Sequence, residues 1–585
     1  MNVHSRAFLA RVKAGISIGR DLSHLAQWLE ENTRHPKDRS KPWSFAGHEY
    51  QIDILSDASN DLVAKKPAQV GFSEISVRAA LGIIDIFQHS TAIYTLPTAS
   101  DASLFAKSRF DPVIEASEEL KAKVHKDTDN TSVKKIGDSF LFIRGTFTQR
   151  AAISIPADIL IHDEVDFSDH DTLTSFTSRL GHVREEDIIK RRFSTPTVSG
   201  YGVSGLFADS KQYWRAVKCD SCFTWQIPVF LQDVIIPGYD NDIMKLEKED
   251  LDDGRYDFDK SYVSCPSCHA PLTVANLADP SKREWVAKYP DMQRAGYQVQ
   301  SFDLPQINTI RRTLRSIRDY KRKSDWVNFA IGQEYEDADT SFVKAAVERG
   351  QRLAWIEPHA NAATGTVVGI DVGKTSWIVV GKQVSARQFN VLHHERVKTL
   401  EGDDLVRRAV EIFSWYGAEM LVIDAAPEWS QAKKVVSALP AGKAFACYYG
   451  SAQKPTMSHI LDTDEEAGVV KVDRTSLISD TAKEMNAGNI LMCRCPESPT
   501  MLAHLDVVKK IRRPNAKGID QEVWVNSGDR PDHYAHALFF ARAANYLLNY
   551  QFKESVVPAL PLPAKVRIGG TSQENERPRS FLDRR

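Results

Sequence analysis

The chain has 585 residues, 42% hydrophobic and 26% charged, and its 75 basic against 77 acidic side chains give a formal charge of −2. That length exceeds what one hydrophobic core supports and predicts two or three domains. The near-neutral balance excludes a protein that coats nucleic acid through overall positive charge, so any nucleic-acid site must be a local basic patch. The sequence has neither an apolar run of about eighteen residues nor a signal-peptide core, which predicts a cytoplasmic protein with no membrane partner.

Residues 1–40 read as a polar helical segment. From 41 to 215, short apolar runs ("TAIYTL", "SFLFI", "ADILIH") alternate with amphipathic stretches, the rhythm of an α/β domain. Within it, "KKPAQVGFSE" has the spacing of a phosphate-binding loop, GxxxxGK[ST]. Lys66 stands at the first glycine position, Gly71 at the second, Phe72 where the lysine belongs and Ser73 at the hydroxyl position. Either this is a chance Gly and Ser in a turn, or a nucleotide site whose lysine has moved. An ammonium acts as a point charge, so a flexible lysine serves from the other end of the loop. The strand "ADILIHDEVD", ending in Asp163 and Glu164, favours the second reading. Paired acids at a strand end can hold Mg²⁺ and polarise an attacking water.

Residues 216–275 carry "CDSC" (Cys219, Cys222) and "CPSC" (Cys265, Cys268), the spacing of a closed, structural Zn²⁺ site in a zinc-ribbon-like insertion; the alternative is reduced structural cysteines. The acidic stretch "KLEKEDLDDGRYDFDK" accounts for the long gap between the pairs as an insertion loop. His269 is at best a substitute ligand, and Cys493 and Cys495 read as ordinary core. Residues 276–350 are expected to be a helical remainder of the same region, with Arg311, Arg315, Arg318 and Arg322 on one stripe: either a contact to DNA phosphates or a solvated face. Residues 351–364 read as a linker.

The stretch 365–552 begins a second α/β unit. Asp371 lies in a hairpin around Gly373, Asp424 ends the strand "EMLVID", and Asp532 opens a strongly amphipathic helix. Any one of these acids ordinarily caps a helix or faces solvent. Together, from two strands and a helix, they can converge on two Mg²⁺ or Mn²⁺ ions, the layout of a ribonuclease-H-like nuclease. The third ligand stays open: Glu428 is a substitute, and His533 and His536 either tune the site or are polar members of the helix face. The basic loop 509–517, "KKIRRPNAK", is the better candidate for DNA, and 553–585 read as a disordered tail.

The segments "KPWSFAGHEYQIDILSD", "KKPAQVGFSE", "TLPTASDASLFAKSRF", "IHDEVD" and "STPT" resemble the ATPase of the large terminase subunit of tailed double-stranded-DNA phages, in the lambda-type branch. The C-terminal half resembles the terminase nuclease domain. The resemblance implies an α/β chain with an N-terminal P-loop ATPase domain of the ASCE type and a C-terminal ribonuclease-H-like nuclease. It implies that Lys66, Gly71 and Ser73 hold ATP, that Asp163 binds its Mg²⁺, and that Glu164 is catalytic. Tyr50 and Gln51 would contact adenine, and Ser194 to Thr197 would couple hydrolysis to motion. An arginine for the γ-phosphate is also expected, with Arg109, Arg144 and Arg150 all open candidates.

By the same resemblance the chain is a motor that drives double-stranded DNA into a procapsid and cuts concatemeric DNA. Its partners would be a portal protein, a small terminase subunit and further copies of itself in a ring, in the host cell cytoplasm. Two rivals remain at this point. One is an ATP-dependent helicase or resolvase fused to a ribonuclease-H-like domain, disfavoured because no helicase arginine motif follows "STPT". The other is a DNA-binding assembly scaffold with decayed activities, for which Phe72 and the uncertain third acid would speak.

Overall fold

The computed structural model describes residues 20–556 apart from 148–154, 241, 356–364, 399–402, 451–458 and 529, with the side chains of 550–556 also left aside. Arg150, most of the expected linker and the tail from 557 on lie outside the described residues.

The first half is built on strands β1 (Asp61–Lys65), β2 (Thr91–Leu96), β3 (Val133–Ile136), β4 (Ser139–Gly145), β5 (Ile159–Asp163), β6 (Ile189–Ser194) and β7 (Tyr213–Lys218). The burial of β1, β2 and β5 is nearly continuous, as expected for strands covered on both faces. The central order is β1-β6-β5-β2-β4, all parallel. The strand that ends in Ser194 therefore lies between the loop strand and the acid strand, the additional-strand arrangement of ASCE ATPases.

Four short strands follow: β8 (Trp225–Gln226), β9 (Val234–Ile235), β10 (Tyr262–Ser264) and β11 (Pro271–Leu272). Antiparallel pairing of β7 with β8 and of β10 with β11 places one CxxC knuckle at the tip of each hairpin. The region 276–350 is not simply helical. Strands β12 (Arg283–Ala287) and β13 (Ala295–Gln298) return to the first sheet, where β13 pairs in parallel with β1. The alternating pattern of "REWVA" is short enough to be lost among its polar neighbours. The rest of that region packs with the insertion, since Phe230, Val263, Leu314 and Trp326 share one core.

The second half begins with β14 (Gln351–Leu353), which pairs with a strand of its sheet, so the expected linker starts as an edge strand. Then come β15 (Thr366–Asp371), β16 (Thr375–Gln383), β17 (Phe389–Lys398), β18 (Ala418–Asp424), β19 (Ala444–Gly450), β20 (Ile460–Asp464), β21 (Val469–Asp473), β22 (Ile490–Cys493), and a hairpin of β23 (Val508–Pro514) and β24 (Asp520–Asn526). The central order β17-β16-β15-β18-β19, an antiparallel meander followed by parallel strands with helices Asp404–Trp415 and Trp429–Ser437 between them, is that of a ribonuclease-H fold.

The His533–Val556 helix crosses this sheet over β15 and β18. It corrects the expectation of an amphipathic helix: Tyr534, Ala535, Ala537 to Ala541, Ala543 and Ala544 are all buried. Its second apolar side is covered by helices Arg474–Asn486 and Ser498–Asp506. The close crossing depends on Gly369, where an added Cβ would lie 2.1 Å from the Ala537 carbonyl oxygen. Gly369→Ala is therefore expected to cost about 3 kcal/mol, the upper end of overpacking, because backbone must move. Equilibrium denaturation checks this, and a loss below about 1 kcal/mol would contradict it.

Candidate nucleotide and metal sites

β1 delivers Lys66 to the end of the sheet, and the 15-residue Phe72–Ile86 helix starts directly after Gly71. Gly71 has φ +82°, and a Cβ there would sit 3.0 Å from Gln51 Nε2, so the turn requires glycine. Phe72, at the usual lysine position, is 3% exposed and packs against Phe193 in the core. The helix N-terminus with its free amides is a ready anion site.

Lys66, 4% exposed, points into the acid pair, with Nζ 3.2 Å from Glu164 Oε1. Burial works against its charge, but Glu164, Asp163 and Asp166 outweigh burial and raise its pKa. Asp163 is buried and accepts from the Tyr94 hydroxyl at 2.8 Å. Burial and the Glu164 carboxylate push its pKa up, a repulsion that a divalent cation would relieve. Glu164 adopts the left-handed region, φ +55°, a conformation that non-glycine residues keep only where the surroundings enforce it. A buried lysine, two carboxylates and a helix N-terminus thus fit Mg²⁺-nucleotide, with Lys66 for phosphate and Asp163 for the ion.

Sequence reasoning missed Asp166. Wholly buried, it accepts from Thr197 N (2.9 Å), Thr197 Oγ1 (2.8 Å) and Val203 N (2.7 Å), and burial raises its pKa to about 7. It ties the acid turn to the "STPT" segment, and its signal was the last acid of "DEVD". Tyr50 and Gln51, the residues expected to contact adenine, lie beside the loop. Each is 1% exposed, and both donate to the Val70 carbonyl, pinning the loop ahead of Gly71. Of the candidate arginines, Arg109 binds Glu74 in the first turn of the Phe72–Ile86 helix, beside the loop. Arg144 instead donates to the Ser132 carbonyl.

The four insertion cysteines close on one another. Cys219 and Cys268 Sγ are 3.8 Å apart, Cys222 and Cys265 Sγ 3.9 Å, and all four lie within 4.8 Å of one another. Zn–S bonds of about 2.3 Å put tetrahedral sulfurs about 3.8 Å apart. The knuckles match: the fifth residue of each, Phe223 and His269, has positive φ and donates its N–H back to the first cysteine's carbonyl. His269 is thus a turn residue. Cys493 and Cys495 lie 3.5 and 3.1 Å from opposite nitrogens of His394.

Most cations of both basic patches are paired within the chain. Arg311 and Arg315 pair with Asp259, Arg318 with Asp252, and Arg322 with Glu522. The acidic insertion is the counter-charge of the arginine stripe. The stretch 509–517 is mainly strand β23, not a loop. Lys509 pairs with Glu336, Lys510 with Glu522 and Arg512 with Asp520, while Arg513 donates to the Ser168 carbonyl. Its Ile511 packs on Val198 and Tyr201 of the first half. A cavity of about 630 Å³ is lined by Glu164, Thr195 and Thr197 on one side and Lys510, Ile511 and Arg512 on the other.

In the second half, Asp371 ends β15 and Asp424 ends the adjacent parallel β18, with Ile370 and Ile423 in register. Burial and the Asp371 carboxylate raise Asp424 to about 6. Asp532 immediately precedes the His533–Val556 helix. His533 Nδ1 is 2.9 Å from Asp371 Oδ2, and its ring stacks on Trp377. Among the described residues the three aspartates do not form a group as tight as the four cysteines. The donor set, two mutually repelling carboxylates at strand ends with a third at a helix start, fits divalent cations. Glu428 is exposed in the turn before the Trp429–Ser437 helix.

Residues 43–282 match the family model of the phage terminase large subunit gpA, ATPase domain. That stretch is of the terminase ATPase type. Among solved structures, the chain is similar to the HK97 bacteriophage large terminase, at 12% identity over 89% of this chain and 99% of that one, TM-score 0.48. It is similar to the large terminase ATPase domain of a Thermus phage at 11% identity, over 50% and 95% of the two chains, TM-score 0.30. It is also similar to the large terminase nuclease of thermophilic phage G20c at 16% identity, over 35% and 98%, TM-score 0.23. No curated protein matches. No described helix of the chain is long and apolar enough to cross a membrane.

The raised pKa of Asp424 makes its charge costly when no cation is bound. Folded Asp424 keeps its proton up to about 6 against an ordinary 3.8, so the penalty is absent below the lower value and complete above the higher. Asp424→Asn should therefore raise the melting temperature in chelator at neutral pH. After discounting for partial exposure we expect about 1 kcal/mol, or ~2–4 °C, shrinking as pH is lowered toward about 4. A lower melting temperature at neutral pH would contradict the assignment.

Proposed function

We propose that this terminase is a DNA-packaging motor and nuclease in one chain, hydrolysing ATP to move double-stranded DNA into a procapsid and cutting concatemeric DNA with divalent metal. The observation that carries the reading is Lys66 buried on the acid pair within the region that matches the gpA ATPase. In the ATPase, Lys66, Gly71 and Ser73 hold the phosphates, Asp163 holds Mg²⁺, and Glu164 orients and polarises the attacking water. Lys66 now rests on Glu164, so nucleotide entry would draw the ammonium to phosphate and release the glutamate for water. Asp166, bonded to both turns, ties any shift of the acid turn to Thr197.

In the nuclease, Asp371, Asp424 and Asp532 would hold two Mg²⁺ or Mn²⁺ ions. Such ions, when bound, activate a water and stabilise the leaving oxygen of a phosphodiester. The terminase would dock on a portal protein as a homo-oligomeric ring, with a small terminase subunit choosing the DNA, in the host cytoplasm. Arg109, half-exposed beside the loop, is the γ-phosphate arginine we favour. The four cysteines would hold a structural Zn²⁺ that fixes the insertion and with it the counter-charge of the arginine stripe.

The purified full chain should nick supercoiled plasmid with Mn²⁺ or Mg²⁺, carry about one zinc per chain by elemental analysis, and lose cutting at least ~100-fold in Asp371→Ala or Asp424→Ala. Cutting that survives both substitutions would overturn the nuclease assignment.

A further inference from the structure

The third nuclease ligand is the weakest point of the sequence reading, and the structure supplies what steadies it. Asp532 lies just outside a helix, where a carboxylate has more freedom than at a strand end. Its Oδ2 is 3.4 Å from His536 Nε2, one helical turn on. The other ring nitrogen, His536 Nδ1, is 3.0 Å from the Tyr449 hydroxyl. Tyr449 sits near the end of β19, the strand next to the one that carries Asp424.

The chemistry fixes the direction of these bonds. A carboxylate offers only lone pairs, so a neutral imidazole facing it must present N–H at Nε2. That leaves a lone pair at Nδ1, which the phenolic O–H of Tyr449 satisfies. The opposite tautomer would set the Nε2 lone pair against the carboxylate. The ring itself is held between Phe539 (5.5 Å), Phe540 (6.3 Å) and Tyr449 (5.7 Å); Tyr449 stacks on Phe540 at 5.3 Å, and Arg474 lies over the Tyr449 ring. Both ends of the histidine are thus taken, which leaves it no nitrogen for a metal ion. His533, next in chain to Asp532, binds Asp371, so Asp371 and Asp532 are each held by a histidine of one helical turn.

We propose that His536 is a positioning residue: a Tyr449–His536–Asp532 relay orients the Asp532 carboxylate as the third metal ligand of the nuclease. The proposal rests on the nuclease reading above. Partners that orient a ligand typically contribute 10–100-fold in metal affinity. A glutamine at 536 preserves the logic, since its amide can donate to Asp532 while its oxygen accepts from Tyr449.

The test titrates Mn²⁺ into the nucleotide-free full chain, with binding read by electron paramagnetic resonance of free Mn²⁺ and plasmid cutting followed in parallel. His536→Ala should weaken Mn²⁺ binding about tenfold or more and raise the Mn²⁺ needed for half-maximal cutting by the same factor, with cutting recovered at saturating Mn²⁺. His536→Gln should stay within about threefold of wild type, and Tyr449→Phe, which keeps the ring packing, should fall between them. Wild-type affinity in His536→Ala, or in Tyr449→Phe if the alanine variant does not fold, would overturn the relay. So would a glutamine variant as weak as the alanine one, since that is the signature of histidine as a direct ligand. Normal Mn²⁺ effects without plasmid cutting by wild type would instead sink the nuclease reading and leave the relay standing.

Discussion

A lysine ammonium, removed from water and set against two carboxylates, is the interaction on which the first half depends. Lys66 lies at the end of β1 and the acids at the end of β5, with β6 between them. Two strand spacings are about 10 Å, which a lysine and a glutamate reaching toward each other can span. The pairing Lys65↔Ser194 and Asp163↔Phe193 brings all three strand ends to one level. Desolvating three charges is costly, and an arrangement with one member removed would leave an uncompensated buried charge. The phenylalanine at 72 follows from the same geometry: once the lysine comes from the strand end, the first helical position is free to pack against Phe193 and the loop strand's core.

From that cluster, contacts run without interruption into the second half. Asp166 holds Thr197 and the backbone of Val203; Val198 and Tyr201 pack on Ile511; and Arg513 reaches back to Ser168. The β23–β24 hairpin belongs by sequence to the second half, yet it closes the cavity that Glu164 faces. An internal ion pair, Lys509 on Glu336, anchors the same strand. Of the cations that looked like a DNA patch, Lys509 and Arg513 therefore fasten the halves, while Lys510 and Arg512 pair within the hairpin.

Much of this was legible in the chain, for identifiable reasons. Lys66, Asp163 and Glu164 announced themselves because continuous apolar strands fix where a following charge must emerge. The same holds for Asp371 and Asp424, each the last residue of a buried strand. The two CxxC pairs were legible because local spacing alone sets knuckle geometry. What escaped was everything decided by partners distant in sequence. The arginine stripe and the acidic insertion were read separately, although Arg311 and Asp259 cancel each other only once folded. The His533–Val556 helix reads as one-sided until two further helices cover its other face. Strands β12 and β13 were hidden because their pairing with β7 and β1 crosses more than sixty residues of insertion or helix.

The claim that the working lysine of the loop is Lys66 is tested most directly by steady-state ATP turnover of the full chain, comparing wild type with Lys66→Ala and Lys65→Ala. Lys65 is the control, because its ammonium is spent on Glu334 at 2.7 Å. The account predicts a fall of about 100-fold or more for Lys66→Ala, the scale of losing a charged group aimed at the transition state, and turnover per folded molecule near wild type for Lys65→Ala. Undiminished turnover in folded Lys66→Ala would contradict it, and the phosphate site would have to be sought elsewhere in the chain.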